Sequence, residues 1–278
     1  MSVKIIVDST ADMIPEVESR VKVVPLTIHF GEKEYVSGVD ITTRQFYEML
    51  VTSPELPKTS QPTPFAFSEA FEEAVDNGDS VVCITLSSKL SGTFQSASIA
   101  AAEFPGKVFV VDSNTVAIAA GILVEYALRL ADGGMEAEAI AAELTRKRDS
   151  LRLLALVDSL EYLKKGGRVS ATVAFAGGVL NIKPLITVSD GVVVMLGKAR
   201  GNKQGNSLMM QEMESSGGMD PNMPVLTGFT GTDDSLYRKF MDDHGSAWAG
   251  HVPCQMIGSV VGTHVGPGAV AMAYFVKE

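Results

Sequence analysis

The sequence predicts an α/β protein of two domains: an α/β/α domain with a parallel sheet over residues 1–155, and a smaller α/β domain with a mixed, largely antiparallel sheet over residues 156–278. Three observations lead there. Short β-branched runs alternate with segments of helical period in the first part of the chain. Those runs are continuously apolar, as strands buried on both faces are. After about Ala155 the pattern changes to Gly- and Val-rich pieces with few helices between them. Two domains imply a crevice.

Val3–Val7 is the first strand and runs into Asp8-Ser9-Thr10. Pro64–Val75 starts at a proline suited to a first helical turn and stops at Asn77-Gly78. Val81–Thr85 leads into Ser87-Ser88-Lys89-Leu90-Ser91-Gly92-Thr93, and Thr93–Glu103 is a helix rich in Ala and Gln. Val108–Val111 ends at Asp112-Ser113-Asn114. Thr115–Leu130 and Glu136–Leu151 read as amphipathic helices broken at Asp132-Gly133-Gly134. Leu153–Val157, followed by Asp158-Ser159, reads as another strand of the same kind. The turns bearing Asp, Ser and Thr are then expected along the carboxyl edge of the parallel sheet, where open α/β folds bind ligands. In the second part the strand candidates are Gly191–Leu196, Val225–Phe229, Gln255–Val261 and Ala269–Val276, with helices around Ser207–Glu214 and Ser235–Asp243.

Composition narrows the function. With 23 basic and 33 acidic residues the formal net charge is −10, the wrong sign for a nucleic-acid groove or a stable anionic-membrane face. Apolar residues at 46% and charged residues at 20% exclude disorder. No apolar run approaches the roughly 18 residues of a spanning helix. Acid at Asp8 and Asp12 interrupts what a signal peptide needs to be apolar. Cys83 and Cys254 make no CxxC and read as small core residues in a reducing compartment, so a cytoplasmic protein is expected.

The usual chemical motifs are missing from the sequence: no GxxxxGK[ST], HExxH, GxSxG or zinc-spaced Cys/His cluster, and the histidines His29, His244, His251 and His264 have no pairwise metal spacing. Gly266-Pro267-Gly268-Ala269 fits the start of a dinucleotide fingerprint, but too little chain follows for a βαβ unit, and a tight turn before the last strand explains it. Neither a cofactor nor a metal is expected. Polar clusters remain. Thr59-Ser60-Gln61-Pro62-Thr63-Pro64 is either a cap and turn or a nest of donors for a carboxylate or phosphate. Ser87–Thr93 supplies four hydroxyls where one cap needs one. Thr263-His264-Val265-Gly266-Pro267-Gly268 places a histidine between Gly-rich turns, and Lys164-Lys165-Gly166-Gly167-Arg168 is either a solvated turn or an anion or partner contact. These clusters look like a holding site for an acid group without reaction machinery of its own.

In order, the segments Ile5–Asp12, Thr59–Pro64, Leu86–Ala97, Val111–Ser113, Leu160–Arg168, Asn181–Leu185 and His264–Ala269 resemble the DegV family of bacterial fatty-acid-binding proteins almost end to end. The resemblance implies a two-domain fold related to dihydroxyacetone-kinase-like proteins, with one long-chain fatty acid in a tunnel and its carboxylate at the crevice. It implies carboxylate binding by Thr59, Ser60, Ser91, Gly92, Thr93 and His264, with Arg168 and Arg200 as contacts for a partner or phosphate. Some members carry the acyl group for a fatty acid kinase whose separate ATP-binding subunit makes an acyl phosphate for phospholipid synthesis, so a kinase subunit is the expected partner and membrane contact only transient. Here the basic run after Leu196 is thinner than in the family, Gly197-Lys198-Ala199-Arg200-Gly201-Asn202-Lys203. Two other readings compete: a hydrolase or phosphotransferase with Ser91 as nucleophile and His264 as base, oriented by Asp8 or Asp112, and a regulatory lipid sensor.

Overall fold

The computed structural model describes residues 2–169, 181–248 and 252–277; His251, one of the four histidines considered above, lies outside them. In chain order the elements are β1 (Val3–Asp8), α1 (Pro15–Glu18), β2 (Lys22–Val24), β3 (Thr27–Phe30), β4 (Lys33–Val36), α2 (Thr43–Thr52), β5 (Lys58–Ser60), α3 (Pro64–Asp76), β6 (Ser80–Thr85), α4 (Thr93–Ala101), β7 (Val108–Asp112) and α5 (Ala117–Asp132). They continue with α6 (Ala137–Lys147), β8 (Leu151–Leu156), α7 (Glu161–Lys165), β9 (Ile182–Ser189), β10 (Val192–Arg200), α8 (Gly201–Ser215), β11 (Leu226–Phe229), α9 (Ser235–His244), β12 (Cys254–Met256), α10 (Ser259–Val265) and β13 (Val270–Phe275).

Strands β2-β1-β6-β7 form an all-parallel sheet. Helices α3 and α4 pack on one face through Phe67, Phe71, Ala97 and Ala100, and α5 and α6 on the other through Ile118, Ile122, Ile140 and Leu144. The second sheet, β10-β9-β8-β13-β11-β12, is antiparallel except for its edge pair β11 and β12. Its inner face shares the α5–α6 core through Leu153, Ala271 and Phe275, and its outer face is covered by Met209, Met213 and Phe240 of α8 and α9. The α/β architecture with a parallel sheet and a separate mixed sheet is as the sequence predicts.

Four elements differ from expectation. The run Leu153–Val157, expected beside the parallel strands, is β8 of the second sheet, antiparallel to β13 and β9; a boundary at residue 155 therefore falls at the end of this strand. A strand covered on both faces is continuously apolar whichever sheet it joins. The first half of α5, Ala117–Val124, is buried all round because it lies between the two sheets, and only the second half is amphipathic, with Glu125 and Arg129 paired on its outer side. Helix α8 starts at Gly201 rather than near Ser207, and the Gln204 side chain accepts from the Arg200 amide at 3.1 Å. The candidate strand Gln255–Val261 ends at Met256, and α10 follows.

The expected elements leave out the segment between Met13 and Pro57, where β3, β4 and β5 form a small antiparallel sheet. Together with α2, opened by a Thr42–Gln45 capping box, this sheet packs Ile28, Phe46, Tyr47 and Leu50 against Val260 of α10. Tyr47 Oη donates to the Ile257 carbonyl at 2.9 Å, tying α2 to the entry of α10.

Candidate functional site

The carboxyl ends of the parallel strands carry the turns that open the site. The Asp8 carboxylate, buried at the end of β1, accepts from the amide of Leu86 after β6 at 2.7 Å and from the Thr10 amide and hydroxyl at 2.9 and 2.6 Å. Beyond those turns lies a cavity of about 360 Å³, within the range of about 300–1,000 Å³ usual for small-molecule sites. Leu86, Leu90, Val116, Val193, Val260 and Val261 form its apolar wall. Thr59, Ser60, Ser91, Gly92, Arg168 and His264 gather on the same cavity.

Thr59 stands on β5 and His264 in the last turn of α10, and His264 Nε2 lies 2.9 Å from Thr59 Oγ1. His264 thus belongs to a helix rather than to the Gly-rich turn expected from sequence. The start of that helix is held from the first sheet: Asp12 Oδ1 accepts from the Gly258 amide at 2.7 Å. Burial pushes the Asp12 carboxyl up to about 8. Burial, with the Arg168 cation adding to it, pushes His264 down to about 4, so the imidazole is neutral near neutral pH. Its Nδ1 is buried and makes no hydrogen bond.

A neutral histidine has a measurable consequence. With its folded value below its ordinary 6.5, His264 binds fewer protons in the folded than in the unfolded chain. The stability this contributes is present above pH 6.5 and is lost as pH falls through about 4. The buried Asp8 and Asp12, both raised by desolvation, act in the opposite sense. The difference between the parent protein and His264→Asn in urea-unfolding free energy at pH 7 and pH 4.5 isolates the histidine: the parent is expected to lose more on acidification than the variant, and equal losses would contradict a buried neutral imidazole.

Ser91 Oγ lies 2.9 Å from Thr93 Oγ1 and also accepts from the Thr93 amide at 3.4 Å. Thr93 itself is fully buried at the start of α4 and supports Ser91 from behind the cavity wall. The Gln61 side chain packs directly on Gly92, where a Cβ would stand 2.3 Å from Oε1, and its Nε2 donates to Ser96 Oγ at 3.0 Å. Arg168 is fixed by its Nη1 donating to the Gly166 carbonyl at 2.6 Å and its Nε to the Leu90 carbonyl at 3.4 Å. Thr63, rather than Thr59 or Ser60, caps α3, accepting from the Ala66 amide. Arg200 is not brought to the cavity; it is exposed at the end of β10, opposite Ile182.

Gln61, Thr10 and Val193 also line the cavity and were not among the expected site residues. Gln61 stands inside the Thr59–Pro64 motif, which was signal enough; Val193 comes from a strand of the second sheet and carries none. Thr59, Arg168 and His264 also line a second cavity of about 620 Å³ with Lys58, Tyr162 and Lys165, so these three side chains stand between the two cavities. No serine–histidine pair forms at Ser91 and His264, whose hydroxyl and imidazole are engaged by Thr93 and Thr59. Asp112 is taken by the Ser88 and Asn114 amides.

The family model described as "Uncharacterised protein, DegV family" matches residues 2–277. This chain belongs to the DegV family. A DegV domain-containing protein of Deinococcus radiodurans is 35% identical over 281 residues, covering 98% of each chain. The solved structure of a fatty-acid-binding DegV family protein from Thermus thermophilus superposes with a TM-score of 0.89 at 31% identity, covering 99% of this chain and 100% of that one. A stearic-acid-binding protein of Eubacterium ventriosum gives a TM-score of 0.88 at 29% identity, covering 100% of this chain and 99% of the other. Among the described residues of this DegV-family chain, no helix is long and apolar enough to cross a membrane.

Proposed function

We propose that this protein binds one long-chain fatty acid, with the acyl chain in the 360 Å³ cavity and the carboxylate between Thr59, Ser91 and His264. The observation that carries the reading is the pairing of two hydroxyls on the cavity wall, Thr59 with His264 and Ser91 with Thr93, each of which can leave a hydroxyl proton for the ligand. A carboxylate only accepts. For Thr59 to donate to it, Thr59 Oγ1 accepts from His264 Nε2–H, which assigns the proton to Nε2 and leaves Nδ1 bare, consistent with its buried, unpartnered position. Ser91 Oγ accepts from the Thr93 amide, and where it also accepts from the Thr93 hydroxyl its own proton is left for the ligand. In that arrangement both hydroxyls present their protons to the ligand.

The energetics suit a lipid. Burying on the order of ten methylenes at roughly 0.8 kcal/mol each supplies about 8 kcal/mol before ordering costs. The head group, in a partly dry crevice, needs the hydrogen bonds that the hydroxyls supply. The solved relatives named above, one of them a stearic-acid-binding protein, support the same ligand class.

In the finer reading, the protein presents that carboxylate to a separate ATP-dependent kinase subunit for acyl phosphate formation. Hydroxyl donors and a neutral imidazole hold the carboxylate without forming a tight ion pair, and the second cavity beside Arg168 supplies an approach for a phosphoryl donor. Denaturing extraction of purified protein followed by mass spectrometry is expected to release one fatty acid per chain. A protein that yields none and takes up none when it is supplied would defeat the binding reading. Presentation is tested by adding a fatty acid kinase ATP-binding subunit: Ser91→Ala is expected to slow acyl phosphate formation, and unchanged turnover would count against it.

A further inference from the structure

A smaller cavity, of about 250 Å³, shares no lining residue with either of the two described above. It sits where three parts of the fold meet. The turn after β1 contributes Ser9 and Asp12, the approach to α2 contributes Ser37 and Thr43, and the join of β12 to α10 contributes Gln255 and Gly258. Asp12 is only 7% exposed. Its Oδ1 accepts from the Gly258 amide at 2.7 Å, while its Oδ2 is buried with no hydrogen-bond partner among the described residues. A bare buried carboxyl oxygen is costly, and the cavity that Asp12 lines is the space in which a partner for it fits.

Charge and shape decide what that partner is. None of the described residues lining the cavity is basic, and Glu18 stands with Asp12 on its wall. Burial holds the Asp12 carboxyl up at about 8, and the carboxylates of Glu18 and Asp8 push it the same way. The Tyr47 phenol also feels Asp12 and, raised by its own burial, stays neutral. A cation is the partner that opposes burial and like charge together. A metal ion suits the site poorly: among the described residues no three His, Cys, Asp or Glu gather to hold one. Much of the wall is apolar instead, through Met13, Val23, Pro25, Val39 and Met256. Val39 is 72% exposed, an uncovered apolar side chain on an acidic cavity.

We propose that this cavity binds a short aliphatic primary amine, with its ammonium group on Asp12 Oδ2 and its carbon chain against Met13, Val23 and Val39. An ammonium group carries three donors. One meets Asp12, and the oxygens of Thr43 and Gln255 on the same wall are acceptors for the others. At about 30 Å³ for each group the size of a water, the space holds roughly eight heavy atoms, so the chain is short. The site stands whether or not the larger cavity holds a fatty acid.

The test titrates the full chain with n-butylamine in an amine-free phosphate buffer near neutral pH, followed through the backbone amide signals. A saturable shift of the Gly258 amide is expected, because its acceptor is the carboxylate that the ammonium engages. n-Butanol, which has the same length and no charge, should leave that signal in place. Asp12→Asn keeps an oxygen for the Gly258 amide and removes the charge, and it should weaken butylamine binding by about 10- to 100-fold. Three results overturn the proposal: no saturable shift at Gly258, equal binding of n-butanol, or unchanged affinity in Asp12→Asn. The first two use unmutated protein and do not depend on how the variant folds. Competition between butylamine and oleate would place the amine in the larger cavity and overturn the proposal as well; binding undisturbed by oleate supports a separate site.

Discussion

Replacing Thr59 with valine is expected to weaken fatty-acid binding by about 10- to 100-fold. Valine keeps the branched shape and removes only the hydroxyl. Two losses follow from one atom. The carboxylate loses a donor, and His264 Nε2 loses its partner at 2.9 Å on a ring whose Nδ1 already has none. Leaving a buried polar group unsatisfied costs about 1–3 kcal/mol, and each 1.4 kcal/mol is about tenfold in Kd. The apolar wall is untouched, so the variant should still exclude water from the cavity. Displacement of a fluorescent fatty acid by oleate measures the change. Thr59→Ser, which restores the hydroxyl, should recover most of the affinity, and equal affinity in Thr59→Val and the parent would place the carboxylate elsewhere.

The second large effect is on the frame that carries His264. Gly121→Ala is expected to destabilise the protein by about 3 kcal/mol, although alanine in a helix interior normally gains about 1 kcal/mol over glycine. A Cβ at this position of α5 would meet the backbone carbonyl oxygen of Asp12 at 1.9 Å. Neither backbone is free to retreat. The Asp12 amide donates to the Ala117 carbonyl, and the Ala117 amide donates to the Thr10 carbonyl, at 3.3 and 3.0 Å. Overpacking a filled core costs about 1–3 kcal/mol and sometimes more, and a rigid clash of two backbones belongs at the top of that range. Because the Asp12 carboxylate also holds the Gly258 amide at the start of α10, the displaced loop should loosen His264 and reduce fatty-acid retention in the fraction that folds. Denaturant unfolding reads the first effect and extraction the second. An unchanged midpoint would mean that α5 and the Asp12 loop can move apart.

Several parts of this protein are legible in its sequence alone. Runs such as Val81–Thr85 and Val108–Val111 are apolar without alternation, and that pattern requires cover on both faces, so the parallel sheet and its flanking helices follow from composition and period. The clusters around Thr59 and Ser91 stand out because they carry more hydroxyls than caps can use. The tertiary structure decides what depends on pairing across long stretches of chain. An apolar strand reads the same in either sheet, and only its hydrogen-bonded neighbours put Leu151–Leu156 in the second. The short strands β3, β4 and β5 have 3 or 4 residues each and only one fully buried position among them, Ile28, which leaves too weak a periodic signal. Thr59 and His264 are 205 residues apart, and Ser60 and His29 are 31 apart. Local sequence carries each side chain's chemistry but not its partner, because a hydrogen bond is set by distances that only the packed sheets and helices impose.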